Sequence, residues 1–137
     1  MTKIYLSGPN TFEHDSNWYQ ELHDLLPRRY SFVVPMRYHH KIMEMGRDLV
    51  ADRFIMRRDT LDVQRCRAVL INLTQTPGKP PTECMVELGM AFAYDKDVIV
   101  VTDPNDDTLE SITAAARAIT YSATTLEEAA FLLKGVV

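Results

Sequence analysis

Short apolar runs alternate with helix-like segments along the chain, and this alternation constrains the fold more than any other feature. "KIYLS" (Lys3–Ser7) is β-rich and stops at Gly8-Pro9. "YSFVVP" (Tyr30–Pro35), "RAVLINL" (Arg67–Leu73), "DVIVV" (Asp97–Val101) and "AITYS" (Ala118–Ser122) repeat the pattern. Between and after them, apolar spacing predicts helices over Asp15–Leu26, Ala51–Arg65, Thr82–Tyr94, Leu109–Arg117 and Thr125–Gly135. Met36 to about Val50 shows no period and reads as an excursion or lid. Strands that are apolar throughout belong to a parallel sheet covered on both faces. About five of them predict one doubly wound α/β domain over residues 1–137, in the flavodoxin-like strand order.

Composition fits that expectation and narrows the function classes. With 137 residues, 46% of them apolar and 25% charged, the chain has the make-up of an ordinary globular domain. A net charge of −4 argues against a protein whose task is gripping the phosphates of a nucleic-acid polymer. No apolar run approaches the roughly 18 residues that span a membrane. The amino terminus reads as a strand and turn, not a signal peptide. Cys66 and Cys84 supply neither a CxxC motif nor a zinc site, so the expected setting is cytoplasmic, with reduced thiols.

In doubly wound folds a ligand sits beyond the carboxyl ends of the strands. That rule selects the loops after Ser7, Val34, Leu73 and Val101. The third of these feeds "PPTECMVELGMAFAYDKDVIVV", in which Glu87 stands between Val86 and Leu88. Glu87 either faces solvent on an amphipathic helix or is a carboxylate held in a pocket. From pattern alone the solvated reading is the commoner. Close to the helix N-terminus, its anionic form is expected to be favoured by roughly 0.3–1 kcal/mol.

Other residues carry weaker signals. Tyr5 lies near the carboxyl end of the first strand, where its hydroxyl reaches across a site or simply fills the core. Asp59 and Asp62 lie one turn apart in "RRDTLDVQRC". Either is a candidate general acid, and an ordinary surface charge is the better reading of Asp62. Asn10 follows Gly-Pro, where a turn role is the default. His39-His40 invites a metal, but adjacent histidines chelate one ion poorly and nothing else has ligand spacing, so no metal is expected. Ser7-Gly8 is not a GxSxG elbow, and "TPGKPP" is not a P-loop. The basic residues between Arg37 and Arg58 form a solvated face or a phosphate grip.

"KIYLSGP", "RRDTLDVQRCRAVLINL" and "KPPTECMVELGMAFAYDKDVIVV", in this order and strand context, resemble nucleoside 2-deoxyribosyltransferases. No single motif is decisive, and the three in register are moderately specific. The resemblance implies exchange of the base of a 2'-deoxynucleoside through a covalent deoxyribosyl-glutamate. It implies Glu87 as nucleophile, Tyr5 as the residue orienting it, and Asp59 near the base in proton transfer. Gly8 and Pro9 would wall the sugar pocket, Phe12 would flank the base, and Asn10 would be a further substrate-binding residue. Arg37 and Arg117 are further candidates for binding substrate, Arg117 by meeting a 5'-phosphate where the family pattern has an asparagine that reaches the sugar. Such a mechanism needs no cofactor. Its partners are a small-molecule nucleoside or nucleotide and a free base, and the family builds each site from two subunits of a homo-oligomer.

The chain also departs from the family pattern. Glu83-Cys84 stands where many relatives carry Gly-Thr, Pro81 where an aspartate is frequent, Arg67 where an aspartate follows Ala, and Arg117 near the place of an asparagine. These changes leave two further readings open: a hydrolase of 2'-deoxynucleoside 5'-monophosphates, and a nucleotide-binding module without catalysis.

Overall fold

The computed structural model describes residues 1–8, 18–34, 49–74, 78, 80–111 and 115–136. Pro9, Asn10, Phe12, Arg37 and His39-His40 lie outside the described residues. The strands are β1 (Thr2–Ser7), β2 (Tyr30–Val33), β3 (Ala68–Asn72), β4 (Asp97–Val101) and β5 (Tyr121–Ala123). The α-helices are α1 (Trp18–Leu25), α2 (Leu49–Arg65), α3 (Thr82–Ala93), α4 (Thr108–Ser111) and α5 (Leu126–Val136), with a 3-10 turn at Ala115–Ala118. The strands form one parallel sheet in the order β2-β1-β3-β4-β5, which is the expected flavodoxin-like order.

Successive side chains of a strand point to opposite faces, and here that alternation separates two cores. Ile4, Leu6, Ala68, Leu70, Ile99 and Val101 pack with Trp18 and Leu22 of α1 and Leu133 of α5. Tyr5, Val69, Ile71, Val98 and Val100 pack with Val63 of α2 and with Cys84, Leu88 and Ala91 of α3. Each fully buried aliphatic side chain contributes about 1.5–3 kcal/mol.

α3 begins after Pro81, which is extended and provides no side-chain cap. It ends in a Schellman arrangement. Asp95 takes a left-handed φ of 56°, and the Asp95 and Lys96 N–H groups donate to the Phe92 and Ala91 carbonyls at 3.1 and 2.8 Å. Aspartate tolerates this conformation better than most residues.

Three local contacts shape the carboxyl ends of the strands. Asn72 Oδ1 accepts from Thr74 N–H at 3.1 Å and Thr74 Oγ1 at 2.8 Å, closing the exit from β3. A Cβ on Gly8 would lie 3.1 Å from both the Asn72 carbonyl oxygen and Trp18 Cζ2, so the exit from β1 has no room for a side chain. Gly78, at φ +79°, donates its N–H to Asp106 Oδ1 and Thr108 Oγ1, each at 2.8 Å. That bond ties the loop after β3 to the loop after β4. Asp106 also accepts a short hydrogen bond from the Thr108 hydroxyl. This bond, ahead of the Gly78 N–H and other backbone donors, holds its carboxyl below the usual range.

Three expectations change. The last strand is Tyr121–Ala123 rather than Ala118–Ser122. Ala118 closes the 3-10 turn, and Thr120 bonds Val98 through both its N–H and its hydroxyl before the strand begins. The helix expected over Leu109–Arg117 is a four-residue α-helix and a separate 3-10 turn. Asp62 is not a surface charge: it is 5% exposed, with Arg58 Nη2 3.9 Å away.

Candidate active site

Glu87 lies on the buried stripe of α3. Cys84, Glu87, Leu88 and Ala91 are its buried residues, spaced i, i+3, i+4 and i+7, whereas the neighbouring Val86 is exposed. The carboxylate therefore occupies a core position and is only 5% exposed. Opposite it on the sheet stand Tyr5 and Ser7, two residues apart on one face of β1 and both buried. α2 brings up Asp59 and Asp62 from the other side: both act electrostatically on Tyr5, and Asp59 also acts on Glu87. Ser7 Oγ donates to Cys84 Sγ at 3.3 Å.

Burial pushes the Glu87 carboxyl up to about 8, and the charge of Asp59 adds to the effect. The expected preference for the anion is thus overturned. The net shift disfavours the charge on the order of 5 kcal/mol, whereas a helix dipole supplies typically about 0.3–1 and at most about 2 kcal/mol, and only within the first turn. Glu87 lies beyond that turn. The Ser7 and Tyr5 hydroxyls pull the other way, by less than burial and Asp59 push. Neither Tyr5 Oη nor Glu87 Oε2 reaches hydrogen-bonding geometry with a described residue, so the Tyr5–Glu87 contact is close but not a formed hydrogen bond. Burial, followed by the charges of Glu87 and Asp59, also raises the Tyr5 phenol well above its ordinary value. Burial pushes the Cys84 thiol up to about 12, which leaves it inert as a nucleophile.

Among the described residues, the charged neighbours acting on Glu87 are acidic: Asp59 and Glu83. A buried acidic group of this kind favours a transition state that develops positive charge, and one member retains a proton near neutral pH.

The structure brings together Glu87, Asp59 and Tyr5 and places Gly8 at the exit of the same strand. It does not bring Arg117 to them. Arg117 is exposed on the 3-10 turn leading into β5 and is not among the groups acting on Glu87 or Tyr5. Ser7 and Cys84 were not selected from the sequence. The signal for Ser7 was its i+2 relation to Tyr5, and for Cys84 its i−3 relation to Glu87.

A cavity of about 590 Å3, lined by Lys3, Gln64, Arg65, Arg67 and Lys96, lies at the opposite, amino end of the sheet. Lys96 Nζ donates to the Gln64 carbonyl at 2.9 Å, so these cations complement the C-terminus of α2. Among the described residues no group of three or more His, Cys, Asp or Glu is placed to hold a metal ion. No helix among them is long and apolar enough to cross a membrane.

A parallel sheet in this order defines a flavodoxin-like α/β protein, here with a desolvated carboxyl and a phenol toward its strand ends. Residues 4–128 match the nucleoside 2-deoxyribosyltransferase family, and the chain belongs to that family. Membership sets its chemistry at the bond between a nucleoside's sugar and base, by transfer or by hydrolysis. No curated protein matches it in sequence. Among solved structures it resembles a conserved protein from Enterococcus faecalis V583, with TM-score 0.72 and 16% identity over 100% of this chain and 99% of that one. It also resembles a 2-deoxyribosyltransferase from Bacillus psychrosaccharolyticus, with TM-score 0.72 and 16% identity over 94% and 90% of the two chains. A CMP N-glycosidase from Clostridium botulinum matches with TM-score 0.60 and 12% identity over 99% and 100%. At these identities the likeness is one of fold.

Proposed function

We propose that the protein cleaves the N-glycosidic bond of 2'-deoxynucleosides and transfers the deoxyribosyl group to another base. A Glu87 carboxylate oxygen forms a bond to C1' as the C1'–N bond breaks. The electron pair leaves with the base, which takes a proton from Asp59. An incoming base then attacks C1' from the other side, releases Glu87 and returns the proton. Two inversions give net retention, the two-carboxylate logic of retaining glycosidases. Splitting one hard displacement into two is the gain from covalent catalysis.

The observation that carries this reading is the burial of Glu87 beside Asp59 and Tyr5 in an acidic setting. An oxocarbenium-like state gains from such surroundings. The proton that Glu87 keeps in the free site passes to Asp59 before Glu87 attacks, and it is this proton that Asp59 then gives to the departing base. The positive charge that develops on the sugar as the C1'–N bond stretches favours that transfer. The Tyr5 hydroxyl, close to Glu87 and otherwise unpartnered among the described residues, orients the anion once it forms.

The test is incubation of deoxynucleosides with a panel of free bases, with products separated by chromatography. New nucleosides are expected, and release of base without any exchange product would exclude transfer.

A second reading is hydrolysis of 2'-deoxynucleoside 5'-monophosphates. The full-length fold likeness to a CMP N-glycosidase favours it, as does the exposed Arg117. In either reading the substrate is a small nucleoside or nucleotide, and the site is completed in a homo-oligomer by Arg117 of a second copy. Arg117→Ala is then expected to weaken monophosphates by about 1.5–3 kcal/mol and nucleosides far less. Equal loss for both would remove Arg117 from the phosphate.

A further inference from the structure

We infer that Ser7 is a positioning residue for Glu87: its hydroxyl rests on the Cys84 thiol while Glu87 is protonated and turns to donate to the carboxylate when Glu87 ionises. The inference rests on the reading of Glu87 as the reacting carboxylate.

Four observations converge on it. Ser7 is the last residue of β1, is 1% exposed, and shares the face of Tyr5. Its present partner, Cys84 Sγ at 3.3 Å, is a weak acceptor that holds a hydroxyl loosely. Cys84 and Glu87 lie three residues apart on the buried face of α3, and the Ser7 hydroxyl lies close enough to Glu87 to act on it as a donor, so a turn of that hydroxyl exchanges thiol for carboxylate. Glu87 Oε2 is buried and has no partner among the described residues, which is the vacancy a donor would fill. The Ser7 hydroxyl already favours the charged form of Glu87. Cys84 does not compete as an anion, since burial keeps its thiol protonated up to about 12. In the bland alternative, Ser7 merely satisfies its own hydroxyl on Cys84, and Glu87 is indifferent to it.

The two accounts differ in the titration of the Glu87 side chain, followed by carboxyl 13C NMR in the free protein. Ser7→Ala is expected to raise the Glu87 midpoint by about 1–2 pH units, the equivalent of one hydrogen bond to a charged group. Its kcat at neutral pH should fall about 10–100-fold, matching the smaller ionised fraction, with KM little changed. Cys84→Ala removes the resting partner and is expected to lower the midpoint. Thermal unfolding checks that both variants remain folded. An unmoved midpoint in a folded Ser7→Ala protein, or a raised one in Cys84→Ala, overturns the inference. The titration needs no substrate, so it is scored separately from the fate of the reaction. Turnover surviving in Glu87→Ala would remove the nucleophile, whereas an unmoved midpoint would remove only Ser7.

Discussion

The two faces of the sheet are built from the same strands and differ in what they bury. On the α1/α5 face, Ile4, Leu6, Leu70, Ile99 and Val101 meet apolar partners. On the α2/α3 face, one residue along each strand, aliphatic packing is interrupted by Tyr5 and Ser7, and the helices there contribute Cys84, Glu87 and Asp62. A buried hydroxyl or carboxylate without a full set of partners costs stability. Both faces hold the domain together, and the second also gives up stability to keep a carboxyl and a phenol out of water. Alternation along β1 is what permits both within a single strand.

This division is testable by mutation. Glu87→Ala is expected to have the largest effect, reducing turnover by at least about 1,000-fold, or roughly 4 kcal/mol of barrier, without loss of the folded state. Near-normal turnover would show that the second face is not the reactive one. Leu70→Ala, on the first face, should do the reverse. It is expected to cost about 2–5 kcal/mol of unfolding free energy, while turnover per folded molecule stays the same. Denaturant titration and activity measured on one preparation separate the two effects.

Glu87→Gln sharpens the contrast. Between about 4.5 and 8 the folded protein keeps a proton that the unfolded chain has released. Stability therefore falls as pH rises through that window and levels off above it. Removing the titration should stabilise the protein on the order of 5 kcal/mol at pH 9 and progressively less toward pH 4.5. A constant difference across that range would mean that Glu87 ionises freely. Tyr5→Phe is the smallest change. Turnover should fall about 10–100-fold, or roughly 1.4–2.7 kcal/mol, with little change in unfolding because the deleted hydroxyl has no formed hydrogen bond. A large stability loss with full turnover would return Tyr5 to the core.

Much of the fold was legible because apolar strands and amphipathic helices alternate; β4 begins and ends where "DVIVV" does. β5 was displaced because it is a three-residue edge strand whose first two residues are exposed, too short to show a period. At Glu87 the spacing signal was present in the stripe from Cys84 to Ala91, but residue polarity argued for the solvent face. Asp62 was misread for the same reason, since Asp59, Asp62, Val63 and Cys66 share a helical stripe that polarity disguises. The proton state of Glu87 was not legible. It depends on desolvation by elements distant in sequence, which outweighs the local effect of the helix terminus.

The Gly78 N–H shared between Asp106 and Thr108 has a consequence for how such a chain can vary. It makes the connections leaving β3 and β4 a single mechanical part, with the glycine on one and both acceptors on the other. A change of length beside Gly78 or beside Asp106 is therefore expected to open this clasp. Grafting one of these loops should cost less when its counterpart is carried with it.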